Sequence, residues 1–187
     1  MTTLASALDV LGRELSSAGV PYMVIGGVAN LVWGEPRTTM DVDVTVDVAS
    51  IGIEAFVQVA ARCGVPRAPE PVAFAVRTRV VPVRTPEGIP IDFIVAALPF
   101  EVEAIGRALL IDFEDLEIRV CSPEDLIIHK IVSDRPRDLE DVVGVLRRRG
   151  HTLDLVRLDE TVKELARGLE EPAILARYQE ALGATGL

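Results

Sequence analysis

Apolar residues recur along this chain in two different periods, and the places where the period changes mark out its elements. Leu4, Ala7, Leu8, Leu11, Leu15 and Ala18 fall at helical spacing, and Gly19 with Pro21 supplies the stop. Tyr22 to Ile25 reads as a short buried strand, Gly26-Gly27 as a turn, and Val28 to Gly34 as a short helix closed by Gly34 and Pro36. From Asp41 to Val48 the period becomes two, which predicts a strand with Asp41, Asp43, Thr45 and Asp47 on one face and valines on the other. Ile53, Phe56, Val57, Ala60 and Ala61 mark a helix ending near Cys63-Gly64. Strands are then expected at 72–76 and 80–83 and, after the turn 85–88, at 89–96, with Asp92 inside the last. A helix over about 99–109 and a strand at 116–120 precede Ser122-Pro123-Glu124-Asp125, a helix start with a cap residue, proline in the first turn and acids at the positive dipole end. Everything beyond is helical, with apolar stripes through 139–146, 155–165 and 173–182.

The order strand, glycine turn, helix, strand predicts an α/β (α+β) fold, a mixed sheet flanked by helices with a helical C-terminal part. A chain of 187 residues suits one such unit with an extension. The composition shift near Ser122 divides it into a core at 1–121 and a helical part at 122–187 packed on that core. A net charge of −10 excludes broad adhesion to nucleic acid or anionic lipid, leaving RNA contact only to a local basic patch such as Arg147 to Arg149. No apolar run approaches a membrane span and the N-terminus has no cleavage signature, so a cytoplasmic location without membrane partners is expected. Cys63 and Cys121 stand apart without companions, which fits two buried thiols better than a disulfide framework or zinc site. His129 and His151 lack a partnered metal spacing.

The chemistry concentrates in three carboxylates and a glycine pair. Asp41 and Asp43, at i and i+2 on a strand, point the same way roughly 7 Å apart, close enough to converge on a divalent cation. Asp92 lies between Ile91 and Phe93, where an unpaired buried charge is expensive. If its strand lies beside the Asp-Val-Asp strand, three carboxylates meet at one sheet edge, a cluster that favours magnesium, or manganese, and in-line phosphoryl transfer. Gly26 and Gly27, between strand and helix, offer backbone that a phosphate can approach and amides aimed at negative charge. Asp47, on the same face, is assigned to solvent. A nucleotide-sugar glycosyltransferase would also use Asp-Val-Asp, but needs neither the third aspartate nor the glycine turn.

The segment "GGVANLVWGEPRTTMDVDV" resembles the signature of the DNA polymerase beta-type nucleotidyltransferase superfamily. Arg37-x-Thr39-x-Asp41-x-Asp43 is similar to its AbiEii-type branch, which includes toxins of toxin-antitoxin systems, and "SPEDLIIHKIVSDRPRDLEDV" resembles that branch's lysine helix. The resemblance implies a nucleotidyltransferase fold and transfer of a nucleoside monophosphate from a nucleoside triphosphate to an acceptor: RNA, a protein hydroxyl or a small molecule. It implies that Asp41, Asp43 and Asp92 hold Mg2+ or Mn2+ and that Asp92 helps deprotonate the acceptor. Gly26 and Gly27 would line the triphosphate, Arg37 and Thr39 would lie at the nucleotide, Lys130 would contact phosphate, and Asp138, which matches a polar position of the motif, would join the nucleotide-binding residues. A protein antitoxin is an implied partner. The rival expectation is an inactive nucleotide- or protein-binding regulator of the same fold. Gly-Gly stands where many members have Gly-Ser, and full-length toxins of the branch are longer.

Overall fold

A computed structural model of the chain describes residues 3–133 and 135–187. Met1 and Thr2 of the expected core segment, and Asp134 within the expected lysine motif, lie outside the described residues. The chain divides into two compact units, one of residues 1–28 and 38–121 and one of residues 29–37 and 122–187.

The first unit is built on a seven-stranded mixed sheet. Its strands are β1 (Tyr22–Ile25), β2 (Val42–Val46), β3 (Val65–Pro66), β4 (Val80–Arg84), β5 (Pro90–Val95), β6 (Leu109–Phe113) and β7 (Leu116–Val120), in the order β3-β4-β5-β2-β1-β7-β6. β2 runs antiparallel to β1 and parallel to β5. The α/β class with a mixed sheet and helical C-terminal part is therefore as expected. Helices α1 (Thr3–Ser17) and α3 (Gly52–Cys63) pack on each other, α1 also against β7 and α3 against β4. Phe56 of α3 meets Phe93 of β5 edge to face, with ring centroids 5.6 Å apart, and both rings are fully buried. Side chains alternate along β5, so Asp92 points to the sheet face opposite Phe93. Cys63, at the end of α3, is buried, and burial, with Glu14 adding to it and Arg62 opposing, pushes its thiol up to about 12. Cys121 is buried as well.

Three expected elements differ. Residues 72–76 belong to a helix, α4 (Pro71–Thr78), rather than a strand. A short apolar run carries no period that separates the two, and Pro71 in the first turn, with Arg79 closing the helix in a left-handed conformation (φ 61°), decides for helix. Helix α5 (Pro99–Gly106) ends earlier than expected, and residues 109–113 form β6. The β6–β7 hairpin turns at Glu114 and Asp115, both at positive φ (47° and 66°), a geometry usually marked by Asn-Gly and so invisible here. Gly26 and Gly27 are not a separate turn but the first two residues of α2 (Gly26–Trp33). α5 starts with the Glu101 carboxylate accepting from the N–H groups of Ala97 and Leu98 at 2.8 and 2.9 Å and pairing with Arg79. Burial pushes that carboxyl up, but the two N–H groups and Arg79 outweigh it and hold it below the usual range.

In the second unit, α6 (Pro123–Val132), α7 (Pro136–Arg149), α8 (Leu155–Gly168) and α9 (Ala173–Gly183) pack on one another. Its buried residues include Leu126, Ile131, Val142, Leu146, Leu158 and Tyr178. Ser122 caps α6 by accepting from the Asp125 N–H at 3.1 Å, and the buried Asp125 carboxylate receives the Ser122 hydroxyl and Arg157.

Because Phe93 has no exposed surface and fills the space under α3, Phe93→Ala should cost about 3–5 kcal/mol. Urea unfolding of parent and variant measures it; a loss under about 1 kcal/mol would show that the site collapses around the void.

Candidate active site

Pairing of β2 with β5 sets the site. The parallel register opposes Asp43 to Asp92 and Val44 to Phe93, so the two carboxylates stand on one face of adjacent strands, about 4.8 Å apart at the backbone. Asp41 lies one residue before β2 and is exposed. Asp92 is half-buried, its side chain 38% exposed, rather than enclosed as its apolar neighbours imply, because those neighbours face the other side of the sheet.

Next to these acids the chain has no room for side chains. β1 pairs Ile25 with Asp43, and the next residue, Gly26, has φ +62°. A Cβ there would lie 2.0 Å from Asp43 Oδ2, and one on Gly27 would lie 2.3 Å from Thr39 Oγ1. Both glycines are thus required by close approach, Gly26 also by its backbone conformation. Thr39 donates its hydroxyl to Asp41 Oδ1 at 3.0 Å, and Arg67 Nη1 donates to Asp92 Oδ1 at 3.2 Å. Burial raises the Asp92 carboxyl above its usual range; Arg67 opposes this and the nearby Asp41 charge adds to it. Arg67 was not foreseen, since a lone arginine after a two-residue strand carries no sequence signal.

The nearby Asp41 charge disfavours ionised Asp92. The Arg67 to Asp92 pair, over a third exposed on both sides, offsets only about 0–1 kcal/mol. The carboxylates make an all-oxygen donor set, the kind that suits a hard divalent ion. Among the described residues no group of three or more His, Cys, Asp or Glu side chains is already gathered to hold one. Thr39 engages Asp41 and Arg67 engages Asp92, each at a single carboxylate oxygen.

The remaining expected residues form a cluster within the second unit. Arg37 grips Asp141 with two hydrogen bonds of 2.8 Å, from Nε to Oδ1 and from Nη2 to Oδ2. Lys130 Nζ sits 2.8 Å from Asp141 Oδ2 and 2.5 Å from Asp138 Oδ1. Lys130, Asp138 and Asp141 are all buried. Lys130 is thus packed inside the second unit between two carboxylates. Asp141, three residues beyond Asp138 on the same helix face, is the partner that joins Lys130 to Arg37. Burial pushes the Asp141 carboxyl up, but hydrogen bonds from Arg37 and Lys130 outweigh it and hold it below the usual range. Of the three consecutive arginines, Arg148 donates to the Gly34 carbonyl, and Arg149 donates to the Val32 carbonyl and covers the Trp33 ring.

The chain matches, over residues 4–180, the family model described as "Nucleotidyl transferase of unknown function (DUF2204)". Among solved structures it is similar to the antibiotic-resistance factor ANT(2'')-Ia, with a TM-score of 0.55 at 16% identity, covering 95% of this chain and 94% of that one. Weaker likenesses are to an antigenic nucleotidyltransferase-like protein from Paracoccidioides brasiliensis (TM-score 0.49, 14% identity, 96% and 92% covered). The CCA-adding enzyme follows (TM-score 0.44, 16% identity), where the chain covers 47% of the longer protein. No curated protein matches the chain at a significant level. The fold is that of the nucleotidyltransferases.

Two predictions follow from the buried cluster. Lys130→Met keeps the length of the side chain but leaves Asp138 and Asp141 short of a counter-charge, and should destabilise by about 3–5 kcal/mol in urea unfolding. A loss below about 1 kcal/mol would return Lys130 to the surface. Asp141, with its carboxyl held low in the folded state, contributes stability that is present above the ordinary aspartate pKa of about 3.9 and disappears as pH falls through its folded value. Melting temperatures from pH 7 to 3 should show Asp141→Asn less stable than the parent at pH 7, with the gap closing on acidification. A constant gap would remove Asp141 from the acid response.

Proposed function

The chain belongs to the DUF2204 nucleotidyl transferase family, and on that premise we propose that it transfers a nucleoside monophosphate from a nucleoside triphosphate to an acceptor hydroxyl. The observation that carries this reading is the side-by-side placement of Asp43 and Asp92 with bare Gly26 backbone against the Asp43 carboxylate. In this reading Asp41, Asp43 and Asp92 hold Mg2+ or Mn2+, which when bound neutralises phosphate oxygens and the charge that develops on the leaving group. The amides of Gly26 and Gly27, at the start of α2, face the triphosphate, and Thr39 lies against Gly27 at the same edge. Asp92 accepts the acceptor's proton. The acceptor oxygen bonds to the α-phosphorus as the bond from that phosphorus to the bridging oxygen breaks, and pyrophosphate leaves.

Lys130, Asp138 and Arg37 we assign to structure, because drawing Lys130 onto a phosphate would break a buried pair at a cost of about 3–5 kcal/mol. The finer placement we propose is the AbiEii-like branch, with a protein antitoxin as partner; its support is the spacing of Arg37, Thr39, Asp41 and Asp43. No helix among the described residues is long and apolar enough to cross a membrane. Two buried thiols suit a reducing compartment, and we place the reaction in the cytoplasm. Arg148 and Arg149 are occupied by carbonyls, which leaves an RNA acceptor with less basic surface than the sequence implies.

Parent and Asp92→Asn, each incubated with the four α-labelled triphosphates, magnesium and a bacterial lysate, test the reading. The parent should label one of the RNA, protein or small-molecule fractions. The variant should bind triphosphate within a few fold of the parent yet label at least about 100-fold more slowly. A parent that binds triphosphate but labels nothing would make the protein a nucleotide-binding regulator.

A further inference from the structure

Arg67 lies outside every motif that marks the carboxylates, yet the sheet delivers it to them. Its N–H donates to the Pro82 carbonyl at 2.8 Å, directly after β3 pairs with β4. Pro82 is in turn the register partner of Asp92. The backbones of Arg67 and Asp92 are thus fixed on either side of one strand, about 9–10 Å apart by the strand spacing. Pro82, between them, presents a short ring rather than a long side chain, and the extended arginine reaches across it to Asp92 Oδ1.

Resting on the reading above, we propose that Arg67 is a stand-in cation: it holds Asp92 until a divalent ion takes the carboxylates, then gives Asp92 up and turns to the phosphates of the incoming nucleotide. The geometry fits a contact made to be exchanged. It is a single hydrogen bond rather than a bidentate grip, and 41% of the arginine side chain is exposed. Contrast Arg37, held on Asp141 by two shorter bonds with only 23% of its side chain exposed. A guanidinium keeps its charge, so while Asp92 is ionised a competing cation is what releases Arg67. A divalent ion brings twice the charge to the same oxygens. Once displaced, the guanidinium remains tethered by a fixed backbone at the rim of the site, with the planar donor fork that suits phosphate.

The test measures Mn2+ binding by electron paramagnetic resonance, without nucleotide and then with ATP, for the parent, Arg67→Ala, Arg67→Gln and Asp43→Asn. Both Arg67 variants should bind Mn2+ alone roughly three- to ten-fold more tightly than the parent, since a competitor and a like charge are gone. They should bind Mn2+-ATP more weakly, an opposite sign that general loosening of the fold does not produce. Equal or weaker Mn2+ binding by both variants, with a parent that binds, overturns the stand-in and leaves the metal reading intact. Tighter Mn2+ with unaltered Mn2+-ATP affinity overturns the phosphate contact. If the parent binds no Mn2+, or binds it no better than Asp43→Asn, the metal reading and the stand-in fall together.

Discussion

Contact between a carboxylate and bare backbone is the constraint around which the first unit is arranged. The register sets Asp43 beside Asp92, and its carboxylate has room there because the residue after β1, which also turns the chain at φ +62°, carries no side chain. A side chain at position 26 would meet Asp43 Oδ2 at 2.0 Å and force the carboxylate away, and rotation of the backbone to avoid this would unseat the start of α2. One glycine thus couples the course of the chain, the orientation of the acid and the position of the amides that begin the helix.

The two charged clusters obey opposite rules. In the second unit Lys130 lies between Asp138 and Asp141, and Arg37 meets Asp141 in a two-pronged grip, so buried charges are matched and their geometry is tight. Such a cluster resists change, because removing one member leaves an uncompensated charge out of water. In the first unit the contacts are looser: Asp41 receives a threonine hydroxyl, and Asp92, over a third exposed, a single arginine bond.

Period and punctuation made most of the first unit legible. The alternation at 41–48 and the apolar run 89–96 gave two strands, but nothing in either says that they are parallel neighbours in a register that opposes Asp43 to Asp92. That register is a long-range fact, fixed by burial of Val44 and Phe93 on the far face. The five apolar residues 72–76 were ambiguous because a run shorter than two helical turns shows no period of its own. Leu109 to Phe113 was hidden because its turn uses Glu114-Asp115. The pairing of Lys130 was hidden for a related reason: its partner Asp141 is visible three residues after Asp138, but only the packing of α6 against α7 shows that the lysine points between them.

Cys63, buried at the end of α3 with its thiol pushed up to about 12, bears on how motion of this protein can be followed. At neutral pH almost none of it is thiolate, the form that reacts with maleimides and iodoacetamides, and Cys121 is enclosed as well. Both native sulfurs can stay in place while a single cysteine introduced at an exposed position such as Met40, 70% accessible and one residue before Asp41, takes a fluorophore or spin label. The approach of metal or nucleotide to the acids would then be read from a reporter beside them, in an otherwise unaltered chain.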